Sequence, residues 1–158
     1  MPDTASLVRD LNAPVIAKRR NAAVMLGRRR HPEAAPPLIA ALADPHRDVR
    51  IAVIGALGSL QDPAAVPGIS GALADPDPVV RAAALAALGR IGDPAACGAV
   101  LGALKDPDMT VRIGAATVLG QLRCRSAAGP LADLQKNDPF TDVREAAGRA
   151  LARIPGRT

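Results

Sequence analysis

One pattern recurs about every 31 residues along the whole chain, and it constrains the fold more than any other feature. Its arginines stand in steps of 31, 31, 31 and 32 residues, at Arg19, Arg50, Arg81, Arg112 and Arg144. An aspartate followed by proline recurs at Asp44, Asp75, Asp106 and Asp138, and a Leu-Gly pair recurs at 26–27, 57–58, 88–89 and 119–120. A fixed short period is typical of repeat proteins, in which each repeat buries its apolar face only against its neighbours.

Each repeat is predicted to form two helices. In the repeat that begins at Pro63, apolar residues spaced by three and four give one helical stripe, namely Val66, Ile69 and Leu73. Asp62 is suited to cap that helix, and proline is tolerated at the first helical position because no N–H is needed there. A second apolar stripe follows at Val80, Ala84, Leu88 and Ile91, and Gly92 is suited to end the second helix.

Composition favours closely packed helices of small side chains. Hydrophobic residues make up 49% of the chain, yet it has one Phe and no Trp or Tyr. Its core must therefore be built from Ala, Leu, Val and Ile. No apolar stretch is long enough to span a bilayer, and the N-terminus has no signal-like apolar segment. Two cysteines are too few for a disulfide framework, so we expect a reducing cytoplasm and free thiols.

The consensus D-P-x-x-x-V-R-x-x-A-x-x-x-L-G resembles the HEAT-like repeats first named for phycocyanobilin lyase subunits. This resemblance covers nearly the whole chain and implies an all-α, right-handed α-solenoid of five two-helix repeats. A single domain over residues 1–158 is expected, with repeats at about 3–31, 32–62, 63–93, 94–124 and 125–158. It also implies that the first helix of each repeat lies on the convex side and that the Val-Arg helix lines the concave side.

The recurring arginines and aspartates are interpreted as structural. Aspartates in the turns between helices can accept hydrogen bonds from arginine, whose planar guanidinium reaches several acceptors at once. The predicted structural ladder consists of Arg19, Arg50, Arg81, Arg112 and Arg144 with Asp44, Asp75, Asp106 and Asp138. The Leu-Gly pairs are interpreted as packing sites, where glycine lets helices approach closely.

The sequence offers little for catalysis. The family includes a di-iron hydroxylase with paired His-Glu motifs, but only His31 and His46 occur here and neither is followed directly by Glu. We therefore predict no catalytic residue, no metal and no cofactor. Cys97 aligns with Val66 and is expected to be a buried free thiol, while Cys124 takes the turn position of Asp62 and could be reactive beside two arginines.

Basic charge is concentrated in the first repeat. Residues 1–31 hold seven basic and two acidic groups, whereas residues 32–158 hold thirteen of each. Such a patch can attract an acidic protein, a nucleic acid or an anionic membrane surface, or it can be a solubilising cap of the repeat array.

The outward positions of the Val-Arg helices predict a strip of Ile, Val, Ala and Met edged by arginine. The predicted partner-binding residues are Ile16, Arg20, Val24, Arg28, Arg47, Ile51, Val79, Met109 and Ile113. An apolar strip of this kind is typical of a groove that binds a protein or peptide. Homodimerisation and the absence of any function are the alternatives for the same strip.

The sequence thus predicts a non-catalytic adaptor that binds another protein, acidic in character, on the concave face. One alternative is an accessory subunit similar to the bilin lyase subunits, which would need a second subunit for chemistry. Another is an electrostatic nucleic-acid binder acting through the first repeat, which the lack of Trp and Tyr disfavours because bases would have nothing to stack on.

Overall fold

The computed structural model describes residues 3–155, and helical hairpins succeed one another throughout them. The ten α-helices are α1 (Thr4–Asp10), α2 (Ile16–Arg29), α3 (Ala35–Ala40), α4 (Arg47–Leu60), α5 (Val66–Gly71), α6 (Pro78–Ile91), α7 (Cys97–Gly102), α8 (Met109–Gln121), α9 (Ala128–Asn137) and α10 (Thr141–Arg153). Each successive pair of these helices forms one hairpin. The described residues contain no strand. The prediction of an all-α repeat fold is confirmed.

The first helices of the second to fourth hairpins are short α-helices extended at both ends by a 3-10 turn, while the fifth has such a turn only at its start. These turns cover Pro32–Ala34, Ala41–Ala43, Pro63–Ala65, Ala72–Ala74, Pro94–Ala96, Ala103–Lys105 and Arg125–Ala127. The predicted caps are present, because the carboxylates of Asp62 and Asp93 accept hydrogen bonds from the N–H groups of Ala64 and Ala95 at 2.9 Å. Gly92 follows α6 with φ of 74°, as expected for a helix end.

Interhelical contacts divide the chain into two units, Met1–Ile91 and Gly92–Thr158. In the N-terminal unit, the second helices α2, α4 and α6 pack side by side, and the first helices α1, α3 and α5 each pack on the second helix that follows them. Within the C-terminal unit, α8 packs on α10, α7 on α8 and α9 on α10. The fully buried side chains are aliphatic and include Leu26, Leu38, Ile54, Leu57, Ile69, Leu85, Leu88, Leu119 and Leu131.

Glycines of the Leu-Gly pairs allow neighbouring second helices to touch. A Cβ added at Gly27 would lie 2.7 Å from Ala56 Cα, and one at Gly58 would lie 3.0 Å from Ala87 Cα. In the C-terminal unit, a Cβ at Gly120 would lie 2.7 Å from Ala150 Cα. The predicted packing role is therefore confirmed at these three glycines.

The expectation of free thiols is wrong. Cys97, at the start of α7, and Cys124, which precedes the 3-10 turn of the last hairpin, form a disulfide with their Cα atoms 5.9 Å apart. Cys97 is therefore not a buried free thiol, and Cys124 is not a reactive one. The alignment of repeats compares equivalent positions, whereas this bond joins non-equivalent positions of two adjacent hairpins.

Candidate functional site

The outward surface of α2, α4 and α6 in the N-terminal unit, here called the second-helix face, combines exposed apolar and basic side chains. Ile16, Val24 and Val79 are 41%, 37% and 52% exposed. Arg20 and Arg28 are exposed on α2, where they alternate with Ile16 and Val24 at helical spacing, while Ile51 on α4 is half-buried. Five of the seven predicted residues that lie in this unit are thus accessible apolar or unpaired basic groups.

A groove of about 410 Å³ lies between α2 and α4 on this face. Its floor consists of the small residues Gly27, Gly55 and Ala56. Val24 and Arg28 line its α2 side. The close contact of Gly27 with Ala56 brings the two helices together and leaves only short side chains between them. A cleft lined by Val24, small residues and the arginines Arg28 and Arg30 can receive a side chain of another polypeptide.

Arg47 is the predicted partner-binding residue that the structure places in an ion pair. Its guanidinium donates to the Asp77 carboxylate at 2.7 Å, and its side chain is also near Asp48 at 3.4 Å. Carboxylates beside it raise the pKa of Arg47, with the hydrogen bond to Asp77 contributing most. Asp77 in turn caps α6, because its carboxylate accepts from the N–H of Val79. Arg47 is thus tied to the turn of the next hairpin.

The C-terminal unit contributes two predicted residues, Met109 and Ile113 on α8, which are both half-buried. Thr117, one turn further along α8, is exposed, and its hydroxyl donates to the Ile113 carbonyl at 2.8 Å. The outward surface of α8 therefore changes from apolar to polar toward its C-terminal end.

Most of the excess positive charge of the first repeat lies on arginines that are accessible and have no ion-pair partner. Lys18 contacts Asp10 at 2.9 Å, and Arg19 contacts Asp44. Among residues 3–155, no carboxylate lies within ion-pair distance of the other five basic groups, which are Arg9, Arg20, Arg28, Arg29 and Arg30. Arg20 and Arg28 among these belong to the second-helix face, so the charge and the apolar groups share one surface.

The recurring arginines and aspartates form bonded rungs between successive hairpins. In one rung, Nε and Nη2 of Arg19 donate to both oxygens of Asp44 at 2.7 and 3.1 Å, and Nη1 donates to the Ala13 carbonyl at 3.0 Å. The rungs of Arg50 with Asp75 and of Arg112 with Asp138 repeat this arrangement. Each arginine thus holds the carbonyls of its own turn and the carboxylate of the next turn.

The two remaining arginines of the ladder bond to turn carbonyls in the same way. Arg81 donates to the Asp75 and Pro76 carbonyls, and Arg144 donates to the Asp138 carbonyl at 2.8 Å and to the Thr141 hydroxyl at 2.9 Å. The Asp106 carboxylate accepts from the N–H of Asp108 at 2.9 Å. All nine residues of the predicted ladder therefore lie in the turns or bond to them.

The rungs are partly shielded from water, which affects their titration. Burial by itself would raise the pKa of Asp44, Asp75 and Asp138, but hydrogen bonds from the facing arginine and from a backbone N–H outweigh it and lower the pKa of each. The pKa of Arg19 is raised in turn, chiefly by its hydrogen bond to Asp44. The carboxylates are thus held ionised as structural acceptors, the opposite of what a general acid requires.

Sequence reasoning missed two features near the rungs. The disulfide is one, and the other is Phe140, whose ring centroid lies 5.7 Å from the guanidinium carbon of Arg112 and whose side chain is 48% exposed. Phe140 follows the recurring Asp-Pro pair at Asp138 and Pro139, and Asp77 holds the equivalent position of an earlier repeat. The alignment places this ring in the same turn as the carboxylate that holds Arg112, and an aromatic ring attracts a cation there. The contact could therefore have been predicted from the sequence.

The described residues contain no group of three or more His, Cys, Asp or Glu side chains placed to hold a metal ion. None of the helices in residues 3–155 is long and apolar enough to cross a membrane.

Stacked helical hairpins, arginine–aspartate rungs and an exposed second-helix face together define a helical repeat protein. The chain belongs to the HEAT-repeat family, because the model of that family, described as HEAT repeats, matches residues 4–74 and 68–152. The resemblance drawn from the sequence motif is therefore confirmed. A search of curated proteins finds no match to the chain.

Solved structures of repeat proteins share the fold. The complex of CpcE and CpcF of phycocyanin lyase from Nostoc sp. PCC7120 contains a chain that is 26% identical with a TM-score of 0.84, and the match covers 98% of this chain and 65% of that one. This protein thus spans less than two thirds of that lyase chain.

Two further structures are similar in fold alone. A designed armadillo repeat protein in complex with the peptide (KR)4 is 17% identical with a TM-score of 0.72, covering 96% of this chain and 82% of that one. Human deoxyhypusine hydroxylase in complex with glycerol is 16% identical with a TM-score of 0.53, covering 96% of this chain and 84% of that one. These likenesses place the protein among the all-α solenoid repeat proteins.

Proposed function

We propose that the protein is a non-catalytic adaptor that binds another protein on its second-helix face. The observation that supports this most is the combination of exposed Ile16 and Val24 with unpaired Arg20 and Arg28 on α2. Val79 adds an exposed apolar side chain on α6, beyond α4 on the same face. Exposed aliphatic side chains on a small domain are stabilised when a partner covers them, and the arginines favour a partner with negative charge. The partner is thus an acidic polypeptide segment with apolar side chains.

The arginine–aspartate ladder has an architectural role in this proposal. In the rungs of Arg19, Arg50 and Arg112, each aspartate carboxylate is occupied by a guanidinium, and each guanidinium also bonds to turn carbonyls. A partner that used these groups would have to break hydrogen bonds that hold neighbouring hairpins together. Recognition is therefore assigned to Arg20 and Arg28 and not to Arg19 or Arg50.

Neutral-to-acidic variants on two faces test the proposal. Val24→Glu introduces a carboxylate into the groove between α2 and α4, and Ala40→Glu introduces one at an exposed position on α3. We expect Val24→Glu to abolish capture of a partner, identified by mass spectrometry, that the wild-type chain and Ala40→Glu both retain. Equal far-UV circular dichroism of the three proteins would exclude unfolding. Unchanged capture by Val24→Glu would overturn the proposal, as would equal loss in both variants.

Similarity to the CpcE–CpcF complex supports a second candidate, an accessory subunit that acts with a bilin lyase partner. The chain would then act as one subunit of a two-chain assembly, as CpcE and CpcF form a complex. A bilin absorbance band that appears when the purified chain is mixed with a bilin or a bilin protein would favour this candidate. No spectral change would favour the general adaptor.

We propose a cytoplasmic location, where glutathione and thioredoxin would keep Cys97 and Cys124 reduced and the disulfide of the structure would form only on oxidation. The Cys97–Cys124 pair makes this testable, because the disulfide persists only in an oxidising compartment or after oxidative stress. Thiol alkylation in intact cells, followed by gel shift, would show two free thiols in the cytoplasm and none in an oxidising compartment.

A further inference from the structure

The C-terminal unit has a groove between α8 and α10 at the same register as the groove between α2 and α4. Gly120 contacts Ala150 as closely as Gly27 contacts Ala56, so the two helices again approach over a floor of small residues. Ala146 and Ala150 of α10 form this floor. The Leu-Gly repeat thus produces an equivalent cleft in each unit.

Polar side chains in two facing rows form the walls of the C-terminal groove. Thr117 and Gln121 stand one helical turn apart on α8, and Arg149 and Arg153 stand one turn apart on α10. All four side chains are exposed. Residues four apart on a helix are neighbours on one face, so the two guanidiniums form a pair of donors along the groove. Arg123 lines an adjoining hollow, which shares Gln121 and Arg153 with the groove.

These arginines carry charge that the structure leaves nearly uncompensated. Among residues 3–155, no carboxylate lies within ion-pair distance of Arg123 or Arg153. Arg149 forms an ion pair with Glu145 at 3.5 Å, and both side chains are more than half exposed, so solvent weakens that pair. Residues 32–158 are neutral in total, but this groove is locally positive, because its lining includes Arg149 and Arg153 and no carboxylate.

We propose that the groove between α8 and α10 is a second binding site for an acidic protein segment, one with carboxylates a helical turn apart. The two carboxylates would accept from Arg149 and Arg153, and small side chains of the segment would lie over the Ala146 and Ala150 floor. The chain's one aromatic residue, Phe140, does not line this groove, so nucleobases would have no stacking surface in it. The inference takes from the proposed function only the class of partner, an acidic protein segment.

Titration calorimetry at low salt tests this with the full chain and an eight-residue peptide of alternating Asp and Glu. The matching peptide of alternating Lys and Arg is the control ligand. We expect the wild type to bind the acidic peptide at two sites and the basic peptide at none. Arg149→Ala with Arg153→Ala should weaken the C-terminal site about tenfold, since two exposed ion pairs are lost. Lys136→Ala, which removes an exposed charge from α9, should leave both sites unchanged.

A third variant shifts affinity in the opposite direction, which a merely destabilising substitution would not do. Glu145→Ala removes the carboxylate that competes for Arg149, so binding at the C-terminal site should tighten about twofold. Loss of one site in the Arg149 and Arg153 variant, together with this tightening, would support the inference.

The outcomes separate this inference from the proposed function. One site in the wild type that is lost in Arg20→Ala with Arg28→Ala, and is untouched by the α10 variants, would overturn the inference and leave the second-helix face standing. A single site that is lost only in the α10 variants would support the inference and would overturn binding of an acidic segment at the second-helix face. No binding of the acidic peptide would overturn the inference, as would equal binding of the basic peptide or preferential binding of a single-stranded oligonucleotide.

Discussion

Removal of the Cys97–Cys124 disulfide should destabilise the C-terminal unit by an amount that its position in the chain determines. The bond spans 27 residues, and in the chain-entropy model closing such a loop contributes about 3.5 kcal/mol by restricting the unfolded chain. Alanine is the suitable replacement, because Cys124 is buried, at 4% exposure, and a hydroxyl there would need a hydrogen-bond partner. Two small cavities add to the loss.

Urea unfolding followed by circular dichroism measures this effect. With a denaturant slope of about 2 kcal/mol per molar, the lost stability corresponds to a fall in the urea midpoint of close to 2 M. The oxidised wild type, shown by thiol titration to have no free thiols, is compared with Cys97→Ala, Cys124→Ala in the presence and absence of a phosphine reductant. Reductant should lower the wild-type midpoint nearly to that of the variant and leave the variant unchanged.

The assay can refute the entropic reasoning directly. An oxidised wild type with the same midpoint as its reduced form would show that the bond does not restrict the unfolded chain as assumed. A fall that affects the variant and the wild type equally would attribute the change to the reductant.

Three other predictions follow from the packing and the rungs. Gly27→Ala should destabilise the protein by about 2 kcal/mol, because the added methyl group overpacks the contact between α2 and α4. Gly55→Ala should instead stabilise it by up to about 1 kcal/mol, because its methyl group meets no atom within 4 Å and alanine favours helix. Thermal unfolding measures both changes. Asp138→Ala should cost about 3 kcal/mol, because it leaves the buried guanidinium of Arg112 unpaired, while Asp133→Ala on the exposed side of α9 should change the urea midpoint little. Since the pKa of each rung carboxylate is lowered by folding, their contribution is complete above the ordinary aspartate pKa of about 3.9 and is lost as pH falls through the lowered values. The urea midpoint should therefore drop steeply below about pH 4, and a midpoint that stays constant down to pH 2 would contradict this account of the rungs.

The repeat period carried most of the information about the fold. In the repeat that begins at Pro63, the apolar spacing and the Asp-Pro pairs place the two helices within a few residues of their observed bounds, Val66–Gly71 and Pro78–Ile91. This works because helix starts and ends depend on local interactions such as capping by Asp62, which a short sequence window contains.

Contacts between non-equivalent positions of two repeats could not be predicted from the repeat alignment. Alignment places Cys97 with Val66 and Cys124 with Asp62, so it gives no hint that the start of one hairpin lies beside the start of the next. The charge count had the same weakness, because it treated residues 32–158 as neutral and did not show the locally basic surface that Arg149 and Arg153 form. Spatial adjacency across hairpins supplied both findings.

If a partner protein contacts the second-helix face, site-specific photo-cross-linking should trap it there. A photoreactive amino acid would be placed at Val24 in one protein and at Ala40 on the first-helix side in another, both irradiated in the cell of origin. We expect a covalent adduct to one acidic protein from position 24 and none from position 40. Adducts from position 40 alone would contradict it.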